Sequence, residues 1–507
     1  MIQYFTNIGC PVPNPNASTD EPSCAATKTL QSIYAGVDVW PDRGQYGNSG
    51  FRCYRAITYT SPRGISTALF GPGWTWEAAT TNPERNWNVW WDNERKLWLG
   101  PLKPGGVIPV PDSPEGAFEP MTTFFQDLPP PDPSNFAFYT HFSPGVGYSW
   151  FVEGKKVLDT KKGWTDVDKQ SSIGNLVWPW PTPSLQGVRP EDPAAFTAST
   201  TLDMTDGYNG GNTLKLTLTY AGAKSDLETI KSIWLPVQSI TVTAGQFEAR
   251  IVYKITVGND TKLDPHMHAK SLSKEENSSG DLTVGRAIVS DLPHGWTQQT
   301  IHFTCTSIGN TASVAIGFLL DIKPRDPSAK VTCSLSLGQL AVYPTPPSHS
   351  VSVGTPSITG ATFTPAAHAA DSDTLEGVLT WDTASTLTPT NVDVDDKEST
   401  VPAWLLQDTP AYRFPTFIYF NVYAVSLDRS EHADPASAVF VGTTGLDGRA
   451  NRFYVENACF PARWDERGGV RFYVQGVTDR GEVLPWERCA TVDHGKSTAG
   501  IQQVSDD

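Results

Sequence analysis

The stretch Ile33–Pro101 decides the fold of the first part of the chain, and it reads IYAGVDVWPDRGQYGNSGFRCYRAITYTSPRGISTALFGPGWTWEAATTNPERNWNVWWDNERKLWLGP. Two apolar runs in it, 33–39 and 65–70, are too short for helices and too apolar for half-exposed strands, so they predict buried parallel strands. Residues 51–60 between them are long enough for a crossover helix. The stretch therefore predicts a βαβ unit with its chemistry at the carboxyl ends of the strands.

Acidic and tryptophan side chains lie at the ends of both predicted strands. Asp38 and Trp40 come with the first strand, and Trp74, Trp76 and Glu77 follow the second. An aromatic ring can stack on the apolar face of a pyranose, and a carboxylate can bind its hydroxyls or act on the glycosidic bond. These residues predict a sugar site, although a hydrophobic cluster beneath long loops stays open as an alternative.

The segments on either side of this unit give weaker patterns. Residues Ile2 to Asn7 alternate bulky and polar side chains, which predicts a further strand. Tryptophans at helical spacing between Trp87 and Trp98, with Glu94 on the same face, predict a helix that either docks against the unit or contacts sugar. Residues 101–133 are dominated by Pro, Gly and Asp and predict a domain linker.

From residue 135 the pattern changes to short runs of Phe, Tyr, Val, Thr and Trp at intervals of roughly ten residues, with turn residues between them. This pattern is typical of antiparallel β-sandwiches. We expect one sandwich over residues 135–345 and a second, of fibronectin type, over residues 351–490.

Candidate ligand-binding residues in the sandwich regions are few. The group Trp164, Trp178 and Trp180 predicts either a sugar platform or a packed connection between strands. The pair His266 and His268 has no third ligand nearby, as a metal site would require. No metal and no cofactor are predicted.

Composition limits the class of partner. The chain has 507 residues and a formal net charge of -16, which argues against binding to nucleic acid or to an anionic membrane and favours a neutral substrate. The first residues carry neither a basic nor a long apolar leader segment, and no run of about 18 apolar residues follows. Seven cysteines without tight spacing predict a reducing compartment. We therefore expect a cytosolic, unsecreted protein.

With these residues in place, the chain resembles the cytosolic endo-β-N-acetylglucosaminidases of glycoside hydrolase family 85, particularly the fungal ones. The resemblance covers nearly the whole chain and rests on segments in three regions, which are GVDVW, RGQYGNSGF, STALFGPGWTWE and WDNERKLWLGP, then FYTHFSPGVGYSWFVEGKKV and DMTDGYNGGNTL, and finally FNVYAV, FVGTT and RFYVQGVTDRGEV. It implies a multidomain fold: the C-terminal portion of a (β/α)8 TIM barrel over residues 1–130, a jelly-roll-like or carbohydrate-binding-like β-sandwich, and a fibronectin III-like β-sandwich.

The resemblance also implies a reaction. The family hydrolyses the GlcNAc-β1,4-GlcNAc bond in the core of N-linked glycans, free or on a glycoprotein or glycopeptide. The mechanism is substrate-assisted and retaining: the 2-acetamido oxygen of the substrate attacks the anomeric carbon, a glutamic acid protonates the leaving oxygen, and an asparagine two residues earlier orients the acetamide.

The sequence departs from the family pattern at the catalytic residues. The Asn-x-Glu segment that follows the fourth barrel strand has no counterpart, so no catalytic residue is assigned and the chain by itself is expected to be inactive. The family pattern makes Asp38, Trp40, Trp74, Trp76 and Glu77 substrate-binding residues. Three interpretations stay open: a family member truncated at its N-terminus, a non-catalytic glycan-binding or scaffold protein, and a purely structural multi-sandwich protein, which would not explain the tryptophans at the two strand ends. The oligomeric state and the glycan preference are not predicted.

Overall fold

The computed structural model describes 23 segments of the chain, which are residues 33–40, 50–77, 87–99, 112–113, 116–117, 121–125, 130–134, 137–174, 184–186, 196–220, 231–258, 261–272, 282–306, 311–324, 330–345, 351–353, 355–367, 375–384, 387–389, 415–427, 437–446, 451–460 and 469–495. The chain divides into two compact units, Met1–Leu128 and Pro129–Asp507. The strand predicted at residues 2–7 lies outside the described residues.

The first unit contains a β-α-β element followed by two helices. Its helices and strands are β1 (Tyr34–Asp38), α1 (Tyr54–Thr60), β2 (Ser66–Phe70), α2 (Trp74–Glu77), α3 (Trp87–Leu99), β3 (Asp112–Ser113) and β4 (Gly116–Ala117). Short 3-10 turns cover Gly50–Arg52, Ser61–Arg63 and Met121–Phe124. Both the crossover helix and the tryptophan-rich helix predicted from the sequence are present.

Strands β1 and β2 pair in parallel, with Asp38 opposite Phe70, as the sequence predicts. The prediction that they are buried is wrong for one face of the pair, where Tyr34 is 67% and Phe70 59% exposed. On the other face Val37 and Leu69 pack in the core. An apolar run predicts a strand, but it does not reveal whether a second layer covers each face.

The core of the first unit is a cluster of buried side chains from β1, α1, α3 and the segments around them, namely Val37, Val39, Cys53, Tyr54, Ile57, Leu97 and Met121. Met121 is fully buried in this cluster. The segment predicted as a domain linker, residues 101–133, thus supplies a core residue to the first unit, and the division between the two units falls within this segment, after Leu128. Proline and glycine indicate irregular backbone, and irregular backbone can still supply an apolar side chain to a core.

The second unit begins with a large antiparallel sheet. Its main strands run in the order β14-β16-β12-β18-β10-β9, while β15 pairs with β16 and β5 pairs with β18. The strands are β5 (Phe138–Thr140), β9 (Phe196–Asp203), β10 (Thr213–Tyr220), β12 (Gly245–Val257), β14 (Leu282–Val284), β15 (Ile288–Asp291), β16 (Thr297–Cys305) and β18 (Val331–Pro344).

A second sheet packs on this one, in the order β13-β17-β11-β8. Its strands are β8 (Ser184–Gln186), β11 (Lys231–Val242), β13 (Thr261–Ser271) and β17 (Ala312–Pro324). The ring centroids of Tyr253 in β12 and Phe318 in β17 lie 5.4 Å apart between the two sheets. A long separate hairpin joins β6 (Pro144–Val152) to β7 (Lys155–Gln170).

Two further sheets and one short ladder follow. The sheets have the orders β20-β21-β25 and β24-β23-β26-β27, and β19 pairs with β22. Their strands are β19 (Val351–Val353), β20 (Ser357–Pro365), β21 (Gly377–Ala384), β22 (Leu387–Pro389), β23 (Phe417–Ser426), β24 (Val439–Thr443), β25 (Arg452–Val455), β26 (Val470–Thr478) and β27 (Ala490–His494). The rings of Trp381 and Phe420 lie 4.9 Å apart in the core between the two sheets.

The two sets of sheets in the second unit share a buried aromatic cluster. It contains Trp150 from β6 and Tyr343 from β18 together with Tyr419 and Tyr423 from β23. The ring centroids of Trp150 and Tyr419 are 6.3 Å apart. Side chains from both sets of sheets therefore pack in one shared core within the second unit.

Candidate functional site

The carboxyl ends of β1 and β2 lie side by side at one edge of the parallel pair. The amide of Val39 donates to the carbonyl of Phe70 at 3.0 Å, which extends the pairing one residue beyond β1. The loops that follow the two strands therefore begin at the same edge, where parallel-strand enzymes place their functional side chains.

Asp38 fixes the start of the first loop. Its Oδ1 accepts a hydrogen bond from the amide of Trp40 at 3.0 Å, and both side chains are half-buried. An aspartate that accepts from the amide two residues later forms a local turn. Asp38 thus helps to set the position of Trp40.

Trp40 also contacts the second loop. A β-carbon built on Gly71 would lie 2.3 Å from Nε1 of Trp40, far inside any normal contact distance. Gly71 has a φ of +67°, a conformation that favours glycine. The indole of Trp40 therefore lies against the first residue after β2, which ties the two loops together.

Helix α2 carries the other three predicted residues. Trp74 is half-buried against the core of the first unit, and its ring lies 4.9 Å from that of Phe51 in an edge-to-face arrangement. Trp76 is half-buried, while Glu77 is exposed. Of the three, Trp74 thus has a packing role, and Glu77 is the most accessible to a ligand.

Helix α3 holds α2 in place through Thr75, which sequence reasoning missed. Thr75 is fully buried, and its hydroxyl donates to Oε1 of Glu94. Nδ2 of Asn93 donates to the carbonyl of Thr75 at 2.9 Å, and Nε1 of Trp98 donates to Oε2 of Glu94 at 3.3 Å. Burial raises the pKa of the Glu94 carboxyl, while the hydrogen bonds from Thr75 and Trp98 act to lower it. The sequence held one signal for this contact, because Glu94 lies on the same face of a predicted helix as the tryptophans.

The candidate residues in the second unit take packing positions where they are described. Nε1 of Trp164 donates to the carbonyl of Ser149 at 3.1 Å, and its ring lies 5.5 Å from that of Trp150. Trp178 and Trp180 lie outside the described residues, so the sugar platform stays a prediction.

His266 and His268 both lie on the outer side of β13. Burial lowers the pKa of His268, whose ring meets Trp234 edge to face. Across the segments that the structure describes, no three His, Cys, Asp or Glu side chains are grouped so that they could hold a metal ion. Within the same segments, no helix has the length and apolar character needed to cross a membrane.

The edge of β1 and β2 presents tryptophan rings beside carboxylates. Tryptophan rings can bind the apolar faces of sugar rings, and carboxylates can bind their hydroxyls. Asp38 and Trp40 are linked to each other, and Trp40 is linked to the second loop through Gly71. The remaining three residues lie on α2, which is fixed by α3.

The comparison with protein families agrees with this chemistry. Residues 3–150 match the family model described as glycosyl hydrolase family 85. The match confirms, over residues 3–150, the resemblance to this family that the sequence predicts.

Three known proteins are similar to the chain. Cytosolic endo-beta-N-acetylglucosaminidase 2 of Arabidopsis thaliana is 28% identical over 140 residues, and cytosolic endo-beta-N-acetylglucosaminidase 1 of the same plant is 27% identical over 142 residues. Each match covers 27% of this chain and 16% of the relative. The glycoside hydrolase domain of Endo-D from Streptococcus pneumoniae superimposes with a TM-score of 0.50 at 18% identity, covering 92% of this chain and 58% of that one. The chain thus spans only part of the length of these proteins, and the structural match concerns the fold.

Proposed function

We propose that the chain is part of an endo-β-N-acetylglucosaminidase that hydrolyses the GlcNAc-β1,4-GlcNAc bond in the core of N-linked glycans. The observation that carries the proposal is the family match over residues 3–150, because this segment contains β1, β2 and all five predicted substrate-binding residues. The named activity of the two Arabidopsis relatives supports it.

In this proposal β1, α1 and β2 are part of a (β/α)8 barrel. The support is the two-sided character of the strand pair, which packs Val37 and Leu69 against α1 and leaves Tyr34 and Phe70 exposed on the other face. In a barrel the helices cover the outer face, and the inner face is filled by side chains of the other strands. Residues 135–345 and 351–490 are proposed as jelly-roll-like and fibronectin III-like sandwiches.

The proposed roles are those of substrate binding. Asp38, Trp40, Trp74, Trp76 and Glu77 line the groove at the carboxyl ends of the strands and contact the glycan. The bond is broken by the substrate-assisted retaining mechanism, in which the acetamide oxygen attacks and a glutamic acid protonates the leaving oxygen. No residue of 1–507 is assigned to that acid, so these residues alone are proposed to be inactive.

The proposed partner is an N-linked glycan, free or on a glycoprotein or glycopeptide, with no nucleic acid and no membrane involved. A cytosolic location is proposed, supported by the names of the Arabidopsis relatives. A fungal source also remains a proposal, because those relatives are from a plant and the similar structure is from a bacterium.

The test is a kinetic comparison in a chain that joins residues 1–507 to upstream coding sequence of the same reading frame. Glu77→Gln and Trp76→Ala should raise KM for a high-mannose glycopeptide and leave kcat largely unchanged, because these residues are proposed to bind the ground state and the transition state equally. Glu456→Gln, an exposed glutamate of the second unit, is the matched control. A fall of about 10²-fold or more in kcat for Glu77→Gln, with KM unchanged, would make Glu77 the acid and reject the proposed roles.

A further inference from the structure

A cavity of about 440 Å³ lies within the second unit, and we refer to it as the junction cavity. Its walls come from the β6-β7 turn, the turn at Pro293–Gly295, strands β23, β24 and β26, and the turn that contains Trp486. This volume is in the range of sites that bind small molecules. The junction cavity therefore lies between the two sets of sheets and is large enough to hold a ligand.

Two turns at the junction cavity have an unusual backbone. Glu153 and His294 line it with φ values of +50° and +59°, and each precedes a glycine of positive φ, Gly154 and Gly295. Two successive residues of positive φ form a type I′ turn, for which Asn, Asp or Gly is preferred at the first position. A glutamate and a histidine there cost backbone free energy, and strain of this kind is concentrated at functional sites.

The two turns are fixed against each other. A β-carbon on Gly154 would lie 2.6 Å from Cδ1 of Trp296 and 3.3 Å from Cβ of His294. The amide of Glu153 donates to Oδ1 of the fully buried Asn209 at 3.0 Å. The backbone of Glu153 is thus held from behind, while its side chain lines the junction cavity. Burial raises the pKa of the Glu153 carboxyl.

Aromatic rings form the apolar wall of the junction cavity. Trp486 is half-buried, and its ring centroid lies 4.8 Å from that of Tyr423, which in turn lies 5.4 Å from Phe440. All three side chains line the junction cavity. Edge-to-face contacts of this kind hold the Trp486 ring in one orientation.

A buried amide lies in the wall of the junction cavity. Gln475 lines the junction cavity and is only 4% exposed. Its Nε2 donates to the carbonyl of Leu484 at 2.8 Å, whereas its Oε1 has no hydrogen-bond partner among the residues that the structure describes. This oxygen is closed to solvent, so Gln475 is part of the wall of the junction cavity and is not assigned a contact with a ligand.

We propose that the junction cavity binds a neutral sugar of one or two rings, with the apolar ring face on Trp486 and the hydroxyl groups on Glu153 and His294. A sugar is favoured because the cavity combines a fixed aromatic wall with two accessible hydrogen-bonding side chains, Glu153 and His294. The lining holds one carboxylate, Glu153, and two ammonium groups, Lys155 and Lys156, of which Nζ of Lys156 lies 3.4 Å from Oδ2 of Asp159. An anion is therefore the alternative ligand that the test below separates from a sugar. The proposal is independent of glycan cleavage and of the first unit.

The test is calorimetric titration of residues 1–507 with N,N′-diacetylchitobiose, N-acetylglucosamine and mannose, together with inorganic phosphate as an anion probe. Binding of at least one sugar should weaken about tenfold or more in Trp486→Ala and in Glu153→Asn, because each removes a ring contact or a charged acceptor. Tyr454→Ser, which changes an exposed aromatic residue on β25, is the matched control and should bind as the parent does.

Glu153→Asn also separates loss of binding from loss of folding. Asparagine is preferred at this turn position, so the variant should melt at a higher temperature than the parent while it loses sugar binding. Failure of all three sugars to bind would overturn the proposal. Sugar binding that persists in Trp486→Ala and Glu153→Asn, or saturable binding of phosphate alone, would also overturn it.

Discussion

The indole of Trp40 lies directly against the α-carbon of Gly71, so that Nε1 occupies the space a β-carbon would need. The contact joins the loop after β1 to the loop after β2 at the edge where the predicted substrate-binding residues lie. The contact requires a residue without a side chain. Gly71 also has a φ of +67°, which independently favours glycine. The edge should therefore be sensitive to changes at this glycine.

Gly71→Ala is expected to destabilise the first unit and displace Trp40. The left-handed conformation alone costs an alanine about 1–2 kcal/mol, and the steric conflict with the indole adds to it. The measurement is urea unfolding followed by tryptophan fluorescence. Gly73→Ala is the matched control, since a β-carbon there meets nothing within 4 Å. Equal unfolding midpoints for the two variants would contradict the contact.

Glu94→Gln should change how stability depends on pH. Burial raises the pKa of Glu94 in the folded state above its unfolded value of about 4.3. The folded state therefore binds more protons, and this group makes stability fall as pH rises from about 4.3 through the raised pKa. The glutamine variant should lose that part of the fall, measured by unfolding at a series of pH values. Glu77→Gln, an exposed carboxylate of the same unit, should keep it.

Asp479→Asn makes the same test in the second unit. Burial raises the pKa of Asp479 to about 6, against an unfolded value of about 3.9. Stability from this group is present below pH 4 and is lost between about pH 4 and 6, by about 3 kcal/mol. The variant should therefore be more stable than the parent at pH 7 and equal to it near pH 4. Asp382→Asn, at an exposed site, should follow the parent, and a parallel curve for Asp479→Asn would reject the assignment.

Gln339→Leu tests the connection between the two sets of sheets. Oε1 of Gln339 accepts from Tyr139 at 3.2 Å and from Asn209 at 2.9 Å, and its Nε2 donates to the carbonyl of Gly481 at 3.3 Å. Removing the amide leaves buried groups unpaired and should cost about 2–4 kcal/mol. Calorimetry should show the loss in a single transition for the second unit.

The control for that experiment is Gln298→Leu, because the half-buried Gln298 side chain donates within its own strand, to Thr300 at 3.4 Å. It should cost less than Gln339→Leu. Two separate transitions, of which only one moves in Gln339→Leu, would show that the two sets of sheets unfold independently despite their shared aromatic cluster.

Local patterns were enough to predict much of the fold. The apolar runs around Val37 and Leu69 gave β1 and β2, and the tryptophan spacing gave α3, because each signal lies within one element. Strand β7 shows no such local signal, since Lys155–Gln170 is rich in lysine and aspartate and forms a hairpin that is largely solvated. Strand β13 was missed as well, because Pro265 and the two histidines interrupt its apolar pattern.

The candidate site was predicted in its residue types and not in its contacts. Sequence placed Trp40 and Trp74 at strand ends, but the contact of Trp40 with Gly71 depends on the pairing register of β1 and β2, which no local pattern contains. The hydrogen bond from Thr75 to Glu94 joins residues 19 apart and requires two helices to pack. The strained turns at Glu153 and His294 meet only in three dimensions.

The central claim is that residues 1–507 contribute to glycan binding and do not supply the catalytic acid. The most direct measurement is release of a labelled high-mannose glycan from a glycopeptide by residues 1–507, beside a chain extended through the upstream coding sequence. We expect release by the extended chain and none by residues 1–507, because loss of general acid catalysis alone costs about 10²–10⁴-fold. Comparable release by both chains would contradict the claim and make Glu77 or Asp38 the first candidate for the acid.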